Sequence, residues 1–212
     1  MKRYAMEFVG TFFLTVAITL IVNPIAIGLI LMAMIYIGGH ISGAQFNPAI
    51  SFACFVQNRL RLEEAVKYIV AQILGALLAL CFFMFITNNS FTLDMVPGSP
   101  LIAPMAIEGL LTMLLCWVYL VMNYDERYKN SMIPGFVIGL TLMAIVSAGS
   151  LFNPGVAVAS IVGNMVKDGM MGGMASVLVY VVAPLIGGFI ASYMFSYFRT
   201  EPYKTEVYIN IQ

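Results

Sequence analysis

The sequence predicts an all-α integral membrane protein with six membrane-spanning helices, two re-entrant half-helices and an inverted internal repeat. Three observations predict this fold class. The 212 residues are 61% hydrophobic and only 9% charged, which is too apolar for the surface of a water-soluble domain. Six spans of roughly 20 residues use about 120 residues, which leaves room only for short loops and half-helices. Two similar loop-to-helix segments also occur, one in each half of the chain.

The first loop-to-helix segment covers residues 38–51 and follows an apolar run. Its first part is rich in Gly and Ser, and we expect a loop to Phe46 whose extended backbone turns its carbonyls toward a cavity. Asn47 suits a helix N-cap, and Pro48 suits the first helical position because its missing N–H costs nothing there. The segment therefore predicts a half-helix over about 47–57 whose positive end points at a passage.

The second segment covers residues 149–158 and repeats the small residues, the aromatic residue and the Asn-Pro pair that open an apolar helix. The paired boxes resemble those of the major intrinsic proteins, the aquaporins and glycerol facilitators. The first box, residues 42–49, is a close match. The second departs from the family pattern, with Gly155 where Ala is usual and Val156 where most members carry Arg. The resemblance implies an aquaporin-like right-handed bundle, a passive channel and a homotetramer with one pore per subunit.

Apolar runs predict the six spans at about 4–22, 24–37, 62–87, 101–122, 134–147 and 174–197, with the second half-helix over 153–163. The chain is predicted as a single channel domain, 1–212, with internal repeats of approximately 1–100 and 101–200. An early glutamate precedes each Asn-Pro box, Glu7 by 40 residues and Glu108 by 45. Small residues suited to close helix crossing follow each box, Gly75-Ala76 and Gly187-Gly188. Because three spans per repeat is an odd number, the second copy must lie inverted.

Charge predicts the orientation. Nine of the ten Lys and Arg residues fall on the side of the two termini, and only Lys167 falls on the other. The positive-inside rule therefore places both termini in the cytoplasm. We expect a multi-pass protein of the plasma membrane, with the lipid bilayer as its surroundings. The basic start of the chain is interpreted as part of a retained first span.

Asn47 and Asn153 are predicted as the pore asparagines, because each amide can donate N–H groups to a passing oxygen in front of a half-helix N-terminus. The half-helices start at Pro48, Ala49, Pro154 and Gly155. By resemblance to the family, the carbonyls that face the passage are those of Gly43, Ala44, Gln45, Gly149, Ser150 and Leu151. The positive ends of the two half-helices face each other, which makes the binding of a cation unfavourable at this point but does not disfavour neutral hydroxyl groups.

Glu7 and Glu108 are ionisable residues within apolar spans, where such groups are functional suspects. They are either proton carriers or, as the resemblance implies, acceptors that hold the re-entrant loops in shape. The scaffold role is favoured because each half of the chain has one such glutamate and neither glutamate lies in an Asn-Pro box. His40, the only histidine, is either a titrating gate or a buried hydrogen-bonding residue that steadies the loop, and we favour the loop role.

The family constriction usually combines four side chains, one of them Arg. Its counterparts here are Ile27 on the second span, and Ser150 and Val156 around the second box. The fifth-span member is Thr141 without an alignment gap, or Val146 with one, and both remain open. In either case the ring is mostly apolar and lacks the donor fork of a guanidinium.

The function predicted from this pattern is passive passage of water, with small neutral solutes such as glycerol as further candidates. The alternatives are a solute-coupled secondary transporter and a non-conducting membrane protein of the same fold. An enzyme is not expected, because the chain has one His and no paired acid and nucleophile at a shared depth. No cofactor, metal site or nucleic-acid partner is expected: the three Cys lie in apolar runs without metal spacing, and the net charge is zero.

Overall fold

The computed structural model describes residues 1–91, 93, 100–128, 131–149, 151–168 and 174–199. Within these ranges every regular element is a helix. The elements are α1 (Lys2–Val16) with a π-helical continuation (Ala17–Ile21), α2 (Pro24–Ser42), α3 (Pro48–Val56), α4 (Leu62–Thr87), α5 (Ile102–Tyr124), α6 (Ile133–Val146), α7 (Pro154–Asp168), α8 (Met174–Val177), a second π-helical segment (Leu178–Val182) and α9 (Ala183–Phe198).

Five helical segments of the described chain are long and apolar enough to cross a membrane: Lys2–Ile21, Pro24–Ser42, Leu62–Thr87, Ile102–Tyr124 and Met174–Phe198. The sixth predicted span is the shorter helix α6, with 14 residues. At 1.5 Å per residue it extends about 21 Å, less than the hydrocarbon core of roughly 30 Å. It ends at Val146, and Gly149, three residues later, has a φ of 81° before the second half-helix begins. The chain is thus an integral, multi-pass membrane protein.

Both half-helices form where the Asn-Pro boxes predict them. Asn47 caps α3 by accepting a hydrogen bond from the Ala49 N–H at 2.9 Å. Asn153 makes the equivalent bond with the Gly155 N–H at 3.0 Å. Helix α4 matches its predicted bounds, whereas α7 extends five residues past its predicted end at 163.

The predicted loop after residue 37 is wrong over its first five residues, because α2 remains helical to Ser42. Gly38 packs closely against α1, because a Cβ on it would lie 2.8 Å from the Met6 side chain, whereas a Cβ on Gly39 would meet nothing within 4 Å. Gly38 therefore favours the close approach of α1 and α2 while α2 stays helical. The predicted position of His40 as a buried residue of the loop is also wrong, since His40 is exposed in the last helical turn of α2.

Glycines let equivalent pairs of helices approach closely, as Gly75 and Gly187 predicted. A Cβ on Gly75 of α4 would lie 2.2 Å from the Phe8 carbonyl oxygen of α1. A Cβ on Gly187 of α9 would lie 2.3 Å from the Gly109 carbonyl oxygen of α5. Phe8 and Gly109 each follow the early glutamate of their half. The same packing thus occurs twice, around a core into which the half-helices insert. A repeat boundary near residue 100 stays a prediction.

Candidate functional site: a passage between two half-helices

The two asparagines join the half-helices reciprocally. The Asn47 amide Nδ2 donates to the Phe152 carbonyl oxygen at 2.7 Å, and the Asn153 Nδ2 donates to the Phe46 carbonyl oxygen at 2.9 Å. The starts of the half-helices also touch, because a Cβ on Gly155 would lie 3.1 Å from the Pro48 Cδ. The two N-terminal ends therefore meet at one place in the interior of the protein.

In the first half of the chain, a buried carboxylate accepts hydrogen bonds from the strained backbone that precedes Asn47. Phe46 has a φ of 50°, which is uncommon for a non-glycine residue. Glu7 accepts hydrogen bonds from the Phe46 N–H at 2.7 Å and the Gln45 N–H at 3.0 Å. Its carboxylate also accepts from the Ser42 hydroxyl at 2.6 Å and the Gln72 amide at 2.8 Å. These four donors surround a fully buried group and offset its loss of hydration.

The second half repeats this arrangement. Phe152 has a φ of 53°. The Leu151 N–H donates to Glu108 Oε1 at 2.9 Å, and the Phe152 N–H donates to Glu108 Oε2 at 3.0 Å. The structure thus brings one glutamate to each of the two loops that precede the half-helices.

A small cavity of about 10 Å³ lies between the asparagines, and one water needs roughly that volume. Its polar walls are Gln45, Asn47 and Asn153, and its apolar walls are Leu14, Ile18, Leu31, Ile50, Leu115, Leu142 and Leu151. Each asparagine amide has two N–H donors and uses one on the opposite loop, as described above. The geometry therefore leaves a second donor on each amide next to the cavity.

The loop carbonyls named from the sequence differ in their surroundings. The Gly43 carbonyl oxygen accepts a hydrogen bond from the Tyr119 hydroxyl at 2.7 Å. Gln45 and Leu151 line the cavity, and Ala44 is buried next to Gln45. Gly149 lies in the turn after α6, where a Cβ would meet nothing within 4 Å. Ser150 lies outside the described residues.

The predicted constriction residues lie on the inward side of their helices. Ile27 is buried and precedes the cavity wall Leu31 by one turn of α2. Val156 is 0% exposed and packs in a cluster with Leu151 and Ala157. These placements are consistent with a ring on one side of the asparagines, with Ser150 outside the described residues.

The two candidates on α6 have different surroundings. Thr141 donates its hydroxyl to the Val137 carbonyl within its own helix at 2.8 Å. Val146 is half-buried, follows the cavity wall Leu142 by four residues, and packs against the core. Residues four apart lie on nearly the same helix face, so Val146 shares the inward face of Leu142.

Sequence analysis missed the apolar walls of the cavity other than Leu151, and it also missed Tyr119. The walls are ordinary Leu and Ile residues of apolar helices, and periodicity is weak in helices that are apolar all round. Tyr119 contacts Gly43 across 76 positions of the chain. The position of a tyrosine hydroxyl in an otherwise apolar span was the available signal, since such a group finds a partner when buried.

The fold and the joined half-helices define an integral membrane protein with a small interior cavity where the two half-helices meet. Residues 6–195 match the sequence model described as "MIP: Major intrinsic protein". The chain is 32% identical over 213 residues to "Glycerol uptake facilitator protein-like 6" of Lactiplantibacillus plantarum, covering 91% of this chain and 96% of the relative. It is 29% identical to "Aquaporin AqpM" of Methanothermobacter thermautotrophicus, covering 94% and 98% respectively. The chain belongs to the major intrinsic protein family.

A solved structure supports the fold. The aquaglyceroporin from Plasmodium falciparum superposes with a TM-score of 0.73 and 22% identity, over 92% of this chain and 94% of that chain. At this identity the likeness shows the shared fold alone. The family model confirms the resemblance on which the sequence prediction rested, and the solved structure confirms the fold.

Proposed function

We propose that the chain forms a passive channel for water and for small neutral solutes such as glycerol. The observation behind this proposal is the reciprocal pair Asn47 and Asn153 beside a cavity of about 10 Å³. The relatives named a glycerol uptake facilitator and an aquaporin support the same class of substrate.

The mechanism we propose is hydrogen-bond exchange in single file. A water oxygen in the cavity accepts from the free N–H donors of the two asparagines, while the apolar walls offer no competing partner. The N-terminal ends of α3 and α7 both present partial positive charge at this point. A cation or a protonated water chain is therefore disfavoured, while neutral hydroxyl groups pass.

We propose that the selectivity ring includes Ile27, Val146 and Val156 among the residues that the structure describes. Val146 is preferred to Thr141 because of its position on α6. An apolar ring makes no directional hydrogen bonds, so it lacks the donor fork with which an Arg would orient a solute. Solutes that carry carbon as well as hydroxyl groups, such as glycerol, fit such a ring.

Glu7 and Glu108 act in this proposal as loop scaffolds and not as proton carriers. Support comes from the backbone N–H groups that each carboxylate accepts at 2.7–3.0 Å. Protonation would remove acceptor capacity from these bonds, so a proton-carrying cycle would disrupt the loop at every turnover. A coupled transporter is the less favoured alternative for this reason.

The orientation and assembly are further parts of the proposal. Cytoplasmic termini, supported by the nine-to-one distribution of Lys and Arg, place the ring on the external side and α3 on the internal side. Family membership supports a homotetramer in the plasma membrane, with the remaining apolar surface in contact with lipid.

The test is stopped-flow light scattering on proteoliposomes, with water and glycerol measured in parallel. Asn47→Leu and Asn153→Leu should abolish both fluxes in protein that still inserts. Asn23→Leu is the matched control, because Asn23 also caps a helix, accepting from the Ile25 and Ala26 N–H groups, but lies away from the cavity. Normal conduction by both cavity variants would contradict the proposed path. Flux that depends on a proton gradient would indicate a transporter, and no flux for any solute a non-conducting protein.

A further inference from the structure

The hydroxyl of Tyr119 is hydrogen-bonded to a loop carbonyl that would be an acceptor in a passage through this protein. Its hydroxyl donates to the Gly43 carbonyl oxygen at 2.7 Å, and the side chain is 1% exposed. Gly43 itself is partly exposed, while Ala44 and Gln45 are buried. The contact therefore lies at the boundary between the solvent-accessible part of the loop and its enclosed part.

Two independent positions place Tyr119 in the layer next to the cavity. On α5, Tyr119 follows the cavity wall Leu115 by four residues, so both project from nearly the same face about 6 Å apart along the helix. On the loop, Gly43 precedes the cavity wall Gln45 by two residues. Gly43 and Tyr119 are themselves not walls of the cavity. Gly43 and Tyr119 therefore lie one layer beyond the walls of the cavity.

A second tyrosine holds the neighbouring carbonyl from the opposite direction. Tyr68 of α4 donates its hydroxyl to the Ser42 carbonyl oxygen at 2.8 Å and packs edge-on against Tyr4 of α1. Ser42 is the last residue of α2, so this bond completes the end of a helix. The two tyrosines make the same bond to consecutive carbonyls, but only Tyr119 stands on the helix face that lines the cavity.

The far side of Tyr119 connects to an exposed turn. Its ring meets Tyr124 in an edge-on contact with centroids 6.4 Å apart. The guanidinium of Arg59 lies 4.7 Å from the Tyr124 ring centroid, and the Cys54 sulfur lies 3.7 Å from the Tyr124 hydroxyl oxygen. Arg59 is exposed in the turn between α3 and α4. Tyr119 is therefore supported by an aromatic contact that reaches the protein surface.

We propose that Tyr119 is a second constriction of the passage, which closes it by donating to Gly43 and opens it when the hydroxyl leaves that carbonyl. This inference rests on the proposed channel function. A water molecule can replace the hydroxyl as donor to Gly43 with little movement of the ring. A glycerol-sized solute requires the ring itself to move. Tyr119 therefore limits glycerol more strongly than water, on the opposite side of the asparagines from the ring around Val156.

Proteoliposome permeabilities of Tyr119→Phe, Tyr119→Ala and the matched control Tyr68→Phe test this inference. Tyr119→Phe keeps the ring and frees the Gly43 carbonyl, so water permeability should rise by roughly two- to tenfold, the factor one neutral hydrogen bond contributes. Tyr119→Ala removes the ring and should raise glycerol permeability by a larger factor than water permeability. Tyr68→Phe loses an equivalent bond and should leave both permeabilities per folded protein unchanged.

The outcomes separate this inference from the proposed function. If the wild type conducts and neither Tyr119 variant increases either flux, the second constriction is wrong while the channel remains. An equal gain in Tyr68→Phe would also overturn it, because the effect would then be general loosening of the loop. If the wild type and both Tyr119 variants all fail to conduct, both proposals are wrong. Flux in the Tyr119 variants alone would support both, with the wild type closed. Tyr119→Phe is nearly isosteric, so a failure of Tyr119→Ala to fold leaves the test intact.

Discussion

Gly28 of α2 and Gly139 of α6 face each other so closely that a Cβ on either would overlap the other's backbone. The added Cβ would lie 2.5 Å from the Gly139 carbonyl oxygen in the first case and 2.8 Å from the Gly28 carbonyl oxygen in the second. We expect Gly28→Ala and Gly139→Ala each to lower the free energy of unfolding by about 1–3 kcal/mol, as overpacking of a well-packed core does. Thermal unfolding in detergent measures the effect.

Gly39→Ala is the control for this pair, because Gly39 lies in the same helix and an added Cβ would meet nothing within 4 Å. Alanine favours the helix over glycine by up to about 1 kcal/mol. The control should therefore match or exceed the wild-type melting temperature. Melting temperatures of Gly28→Ala and Gly139→Ala at or above that of Gly39→Ala would show that α2 and α6 are not held this closely.

Glu7→Gln should destabilise the first loop although the two side chains have nearly the same shape. One carboxylate oxygen would become an NH₂ group in a site where Glu7 accepts from Ser42, Gln45, Phe46 and Gln72. At least one buried donor would then face another donor, at a cost of about 1–3 kcal/mol. We expect a lower melting temperature and a lower folded yield, without any new dependence of flux on a proton gradient.

Glu64→Gln provides the comparison for Glu7→Gln. Glu64 accepts from the Arg3 guanidinium at 2.8 Å in a pair that solvent reaches. Such pairs contribute roughly 0–1 kcal/mol. A loss of stability in Glu7→Gln no larger than in Glu64→Gln would remove the scaffold role. A flux that loses gradient dependence only in Glu7→Gln would favour a carrier.

The sequence specified those features whose signals are local. Asn47-Pro48 and Asn153-Pro154 combine a cap and a first-turn proline within two residues, so both half-helices begin where predicted. The polar residues that interrupt the apolar sequence on either side of α4 are equally local signals, and the observed bounds of α4 agree with the predicted ones. The all-helical membrane class also followed from composition, because an apolar chain of this length has few ways to satisfy its backbone in lipid.

Features that depend on distant residues were not specified. The residues around Gly38 have the composition of a loop, but Gly38 lies within α2 and packs against Met6 of α1, 32 positions away in the chain. His40 was placed in the loop as a consequence. Tyr119 resembles any other buried aromatic residue until its hydroxyl is seen on Gly43. The proposed preference for Val146 over Thr141 likewise rests on the helix face of Leu142, which the sequence does not show.

Asp125, just outside the membrane-spanning part of α5, makes a pH-dependent contribution to the stability of the folded state. Its carboxylate accepts from the Arg127 Nε at 2.9 Å and Nη2 at 2.8 Å, and this lowers the pKa of Asp125 from 3.8 to about 2. A depressed pKa stabilises the folded state above the unfolded pKa, and this contribution is lost as the pH falls through the folded pKa. Asp125→Asn should therefore melt below the wild type near neutral pH, and the gap should close between about pH 4 and pH 2.

Arg127→Gln tests the cause assigned to this shift. If the guanidinium lowers the pKa of Asp125, the Arg127 variant should show the same closing gap, and the double variant should lose little more than either single one. A gap in melting temperature that is constant over this pH range would mean that Asp125 acts through packing and not through its charge.

Val156 offers the sharpest test of selectivity, because apolar substitutions there change size without changing charge. Its side chain is fully buried beside Leu151 in the cluster next to the cavity. Val156→Ala should widen the ring and raise glycerol permeability by roughly tenfold, the lower end of what one methylene contributes to discrimination in an apolar pocket. Val156→Leu should lower glycerol permeability by a similar factor. Water is smaller than glycerol, so its permeability should depend less on the size of this side chain. Val162→Ala is the control, because Val162 lies on the exposed face of the same helix and should leave both fluxes unchanged. Parallel changes of water and glycerol in the two Val156 variants would place the size filter elsewhere, and Tyr119 is then the next residue to measure.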